Sequence, residues 1–246
     1  MSKIGIFGDS FGCQALTPDL GDPNLGMQYH WATLLANELG ADLGIEAVSG
    51  SPAFYSYKKI MEKHQEYDQI IFIVTDCARY PIDVGSESVF VSSADQIKYI
   101  MNDVSPSTQV ELSKIAAWFD VEPYEYLINM NDLMVDKIRS IRPDTIFLAT
   151  NEHSFTSEKF AELGLEIEQN LTNLFFEQLA QLDISSTSFN ISITENPTLI
   201  SGHFVPEMHN YFYEVFKHRY DTGQWNWKPV PRLKFNYSPE QYYPFI

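Results

Sequence analysis

Ile4-Gly5-Ile6-Phe7-Gly8-Asp9-Ser10-Phe11-Gly12 is the stretch from which the rest of this chain is read. Its first four residues are an apolar run without polar alternation, the pattern of a strand covered on both faces in a parallel sheet. Gly8, Asp9 and Ser10 then make a turn. In an open α/β sheet the residues just past the carboxyl ends of the strands line the ligand crevice, so Ser10 stands where such folds put their chemistry. A serine so placed is a candidate nucleophile if a histidine reaches it. Asp9 reads as a brace for the turn.

Strands and helices alternate outward from this point, which argues for parallel βαβ units. After the first strand, about residues 3–8, a helix is predicted over 29–39. It carries Trp31, Leu34, Leu35 and Leu39 on one face and stops at Gly40. Strands follow over 44–48, 69–75, 145–150 and 189–193, five in all with the first. Helices are predicted through Tyr57, Ile60 and Met61, over 157–182 and over 207–219. Residues 1–222 read as one α/β domain with a helical insertion at about 82–143. Arg79-Tyr80-Pro81 opens that region as a loop, residues 92–102 can form a helix, and Ser105-Pro106 starts a long helical stretch with a break at Pro123. Its aromatics, Trp118, Phe119, Tyr124 and Tyr126, are expected in the core rather than as a ligand platform, though an insertion above the strand ends can form a lid. Residues 223–246 are rich in proline and aromatics and read as an extended tail. The tail is expected to wrap its own domain, the alternative being an oligomer or another partner chain.

Composition narrows the classes. With 246 residues, 44% of them hydrophobic, the chain is globular. A net charge of -17 argues against nucleic-acid binding through a basic patch. The two cysteines, Cys13 and Cys77, build no disulfide framework and are expected as buried free thiols. Met1-Ser2-Lys3 runs straight into the first strand without a leader pattern, so the expected location is cytoplasmic. No apolar stretch has membrane-spanning length, so no membrane partner is expected. No zinc-spaced cysteine pair or His-Glu-x-x-His occurs, and no metal is expected. Neither a Gly-x-Gly-x-x-Gly nor a Walker lysine follows the first strand, so no nucleotide cofactor is expected; a flavin would need a Ser/Thr-rich phosphate loop that is lacking there.

Four strand ends supply chemistry: Ser10 after the first strand, Gly50 and Ser51 after the second, Thr75 and Asp76 after the third, and His203 after the fifth. A serine, a glycine that can offer its N–H and a late histidine are the parts of an acyl-transfer site. His209 is expected on the surface of the last helix, and His153 in a solvated loop.

Gly8-Asp9-Ser10-Phe11 after an N-terminal strand resembles the first block of the SGNH, or GDSL-type, hydrolases. That resemblance implies a flavodoxin-like three-layer α/β/α fold and esterase, lipase or carbohydrate-deacetylase activity without a cofactor. It makes Ser10 the nucleophile and His203 the base, with the N–H groups of Ser10 and Gly50 forming the oxyanion hole. The family's third block, Gly-x-Asn-Asp, is absent; the chain reads Val74-Thr75-Asp76-Cys77-Ala78-Arg79 instead. The Asp of its last block is also missing from Ser201-Gly202-His203. Arg79 and Asn151 are the candidates to replace the lost oxyanion donor, and Glu195, Glu207 or a backbone carbonyl to orient the histidine. Tyr55-Ser56-Tyr57-Lys58-Lys59 and the strand leading to Asp76 are similar to a subgroup found in phage genomes.

Two readings result. One is a serine esterase acting on a small acyl ester, such as a carbohydrate O-acetyl group. The other is a catalytically impaired binding or virion-associated structural protein that assembles through residues 223–246.

Overall fold

Four parallel strands carry the described part of this computed structural model, which comprises residues 2–13, 27–77, 79–84, 87–91, 106–119, 124–185 and 204–236. In chain order the strands are β1 (Lys3–Phe7), β2 (Asp42–Ile45), β3 (Gln69–Val74), the hairpin pair β4 (Tyr80–Val84) and β5 (Glu87–Val91), and β6 (Ile146–Ala149). The helices are α1 (Ser10–Cys13), α2 (Trp31–Leu39), α3 (Ala53–Lys63), α4 (Pro106–Phe119), α5 (Tyr124–Ile141), α6 (Ser157–Glu162), α7 (Leu171–Gln181) and α8 (Pro206–Thr222).

The sheet order is β2-β1-β3-β6, all parallel. The chain moves from β1 outward to β2 and then crosses back to β3 on the other side of β1. The crevice of a doubly wound sheet opens at that reversal, above the ends of β1 and β3. Alternate residues of each strand feed opposite faces. Ile4, Ile6, Ile71, Ile73 and Leu148 pack with Trp31 of α2, Phe175 of α7 and Phe212 of α8. Phe7, Phe72, Val74 and Phe147 pack with Ile60 of α3, Val135 and Ile138 of α5 and Phe160 of α6. The result is three layers, helix–sheet–helix. Two strand glycines make room for one ring: a Cβ on Gly5 would lie 2.7 Å from Tyr67 Cγ, and one on Gly44 2.5 Å from Tyr67 Cε1.

Several elements differ from the sequence expectation. β2 lies at Asp42–Ile45, earlier than 44–48, because its ladder with β1 runs from Lys3↔Asp42 to Ile6↔Ile45. Beyond it the main chain still follows the first strand's exit, Glu46 N–H donating to Ile6 O and Val48 N–H to Gly8 O. Arg79-Tyr80-Pro81 leads into β4 rather than a loop, so the insertion begins with a hairpin. The β-branched residues Ile82, Val84, Val89 and Val91, with Gly85-Ser86 between the two runs, are its sequence signature. The helix expected over 157–182 is two helices: α6 ends before Gly164, which is left-handed (φ 68°), and α7 restarts at Asn170, whose side chain accepts from Asn173 N–H. Tyr126 is 53% exposed, not core. The strand expected at 189–193, the helix at 92–102, Pro123, His203 and residues 237–246 lie outside the described residues.

After α8 the chain runs without regular structure back over its own helices. Trp225 meets Phe216 edge-on (centroids 5.8 Å), and Trp227 tilts on Phe212 (5.8 Å). No described helix is long and apolar enough to cross a membrane.

Candidate active site

Ser10 is half-buried and opens α1, one turn past the end of β1. Gly8 turns the chain there with φ 142°; a Cβ at this position would stand 2.7 Å from Ile73 Cβ, so only glycine fits. The Gly8 carbonyl accepts from Val48 N–H (3.0 Å), Ser51 Oγ (2.9 Å) and Ser56 Oγ (3.3 Å). Asp9 is fully buried. Its Oδ1 accepts from Phe11 N–H (3.1 Å), and its Oδ2 from Thr75 Oγ (3.2 Å) and Arg79 Nη1 (3.0 Å). Burial raises the Asp9 pKa above its ordinary value; the Arg79 charge and the hydrogen bonds oppose this but are outweighed.

The Phe11 carbonyl is held from the other side by His30 Nε2 (3.1 Å) and Trp31 Nε1 (3.0 Å). Ala32 N–H donates to His30 Nδ1, so the ring proton sits on Nε2 and points at that carbonyl. His30 was not foreseen from sequence; histidine is not among the favoured N-cap residues, so its role at the start of α2 left no pattern. His209 is 1% exposed rather than on the surface. It accepts from Trp31 N–H through Nδ1, and its ring lies 4.8 Å from that of His30. Phe204, the residue after His203, packs on Phe11, the residue after Ser10, with ring centroids 5.2 Å apart.

Gly50 lies in the loop beyond β2, half-buried and left-handed (φ 74°), with open space where a side chain would be. Asp76, past the end of β3, accepts from Asn151 Nδ2 (2.8 Å), while Asn151 Oδ1 accepts from His153 N–H (3.0 Å). Asn151 and Arg79 therefore each hold a carboxylate. Glu207 accepts from Asn236 N–H and Nδ2 in the tail. Asn131 of α5 is a second residue missed from sequence: it is 3% exposed and donates to Thr75 O and Ser154 O, tying the helix to the ends of β3 and β6.

Both cysteines are weak nucleophiles here. Burial and the neighbouring Asp76 push the Cys77 thiol up to about 12; burial and Asp9 push Cys13, half-buried rather than buried, up to about 11. A cavity of about 310 Å³ opens between α3 and α5, with Asp76, Cys77 and Arg79 at one end.

No family profile and no curated protein matches this sequence. Solved structures do. A lipase from a goat rumen metagenome is 13% identical over 89% of this chain and 97% of its own, with a TM-score of 0.43. The psychrotrophic esterase EstA from Pseudoalteromonas sp. is 13% identical over 90% of this chain and 100% of its own, TM-score 0.41. A protein assigned to the lipolytic G-D-S-L family in Desulfitobacterium hafniense is 14% identical over 69% and 83%, TM-score 0.32. Likeness at this level carries no argument about the site, which stands on its own residues. What the chain is similar to, at that level, is a set of lipases, esterases and G-D-S-L-type lipolytic proteins.

Proposed function

We propose that this chain is a serine ester hydrolase for a small acyl ester, with Ser10 as nucleophile and His203 as base. The observation that carries the reading is the brace around Ser10. Gly8 O, the Asp9 carboxylate and Phe11 O all accept from donors outside this turn, which braces the main chain on both sides of half-buried Ser10 at the sheet's switch point. The contact of Phe11 with Phe204 favours the pairing of Ser10 with His203.

In this mechanism Ser10 Oγ bonds to the ester carbonyl carbon as its proton passes to His203. The carbonyl electron pair moves onto oxygen, where the N–H groups of Ser10 and Gly50 stabilise it. Collapse breaks the bond to the alcohol, which leaves with the proton from His203. Water then attacks the acyl-serine, His203 takes its proton, and collapse returns that proton to Ser10 and releases the acid. A net charge of -17 favours uncharged esters over anionic ones. A carbohydrate O-acetyl group belongs to this proposal as one substrate.

The second reading, a catalytically impaired binding or virion-associated structural protein that assembles through residues 223–246, is favoured by one observation: Arg79 and Asn151, the candidates to replace the absent Asn of the third block, each donate to a carboxylate. Losing an oxyanion donor costs roughly 10²–10³ in rate. Fluorophosphonate labelling with mass spectrometry decides between them. The hydrolase reading expects a covalent adduct on the Ser10 peptide, and loss of p-nitrophenyl ester turnover in Ser10→Ala with an unchanged circular-dichroism spectrum. Equal turnover by parent and variant rejects it.

A further inference from the structure

The geometry points to the cavity between α3 and α5 as the binding site for an apolar acyl chain of about six to eight carbons; this rests on the hydrolase reading and gives its substrate class. Ala53, Phe54, Tyr126, Leu127, Met130 and Met134 form its apolar wall. Phe54, Tyr126 and Met130 are large apolar side chains at 48%, 53% and 38% exposure. Scattered singly they would need no explanation, but all three border one opening.

The polar end adjoins the candidate nucleophile. Arg79 lines the cavity and donates to Asp9 Oδ2, and Asp76 follows Thr75, which donates to the same oxygen. β1 and β3 are paired neighbours, and adjacent strands lie about 4.8 Å apart. Asp9 immediately precedes Ser10, so the Arg79–Asp9 contact ties the cavity's polar end to the turn that carries the candidate nucleophile.

Size selects the occupant. At roughly 30 Å³ per water-sized group, a cavity of about 310 Å³ has room for about ten heavy atoms. An acetyl methyl would leave most of it empty, and a peptide helix would not enter. The overall charge disfavours an anionic occupant, so the chain enters as an ester and leaves as a repelled carboxylate.

The test compares p-nitrophenyl acetate, butyrate and octanoate on the full chain and on Leu127→Trp and Met130→Trp, each of which fills the cavity; thermal melts establish that at least one variant is folded. We expect kcat/KM for octanoate to exceed that for acetate by at least about tenfold in the parent, and this ratio to collapse in a folded Trp variant. A parent that is fastest on acetate, or a ratio that neither substitution moves, overturns the inference. Binding of methyl octanoate to Ser10→Ala, read by saturation-transfer NMR, separates the two proposals. If no variant or parent turns over any ester, but the probe binds and a folded Trp variant abolishes binding, the cavity assignment stands and the hydrolase reading falls. If the probe does not bind, the cavity assignment falls, whatever the turnover.

Discussion

Asp9 sits at the centre of the site's electrostatics, with an arginine, a threonine hydroxyl and a backbone amide on one fully buried carboxylate. Folding raises its pKa, so the folded protein holds the proton over a pH window in which the unfolded chain, near the ordinary 3.8, has already released it. More protons bound in the folded state means that stability falls as pH rises through that window. Asp9→Asn removes this titration. We expect urea-unfolding midpoints to decline less steeply for the variant than for the parent as pH rises from 3.8; parallel profiles would show that Asp9 does not titrate with a raised pKa. Asp9 as a brace was legible in the sequence, because a short acid two residues before an amide favours such a turn. Its tie to Arg79 was not, since that contact spans 70 residues and arises only when β1 and β3 pair.

At the scale of elements, one hydroxyl reinforces the main-chain link between the ends of β3 and β6, where Thr150 N–H donates to Val74 O. Ser154, itself fully buried, donates from Oγ to Val74 O and accepts from Thr150 N–H and Asn151 N–H. Ser154→Ala removes these bonds while Thr150 N–H keeps Val74 O as an acceptor, and we expect a loss of about 0.5–1.5 kcal/mol in unfolding free energy, measured by urea titration. Because Asn151 N–H is one of the two donors, the variant is also expected to loosen the Asn151–Asp76 contact, visible as a shifted Asn151 side-chain amide resonance. The strands themselves were plain in the sequence, β3 above all, whose Ile70 to Val74 are all buried. The hairpin and the break between α6 and α7 were passed over because Pro81 and a long amphipathic pattern masked two local signals, Gly85-Ser86 and Gly164. Helix periodicity tolerates a turn of eight residues, so the pattern alone reads through it.

Over the whole molecule, the segment after α8 closes the core. Trp225 and Trp227 stack on each other (5.5 Å), and they cover Phe216 and Phe212. Gln181 pins the same segment, donating to Pro231 O and accepting from Leu233 N–H. A chain ending at Gly223 uncovers this aromatic face, and we expect a lower thermal midpoint together with earlier elution from a sizing column. Unchanged melting and elution would mean that these contacts contribute nothing to the folded chain. By itself the sequence determined the strands, the turn after β1 and the place of Ser10 at a strand end, because those depend on neighbours a few residues apart. Only the tertiary structure decided which groups Arg79, Asn151, His30 and Asn131 hold, and where the apolar cavity opens. Those partners lie 19 to 75 residues away along the chain, and their meeting follows from strand order and helix packing, not from any local pattern.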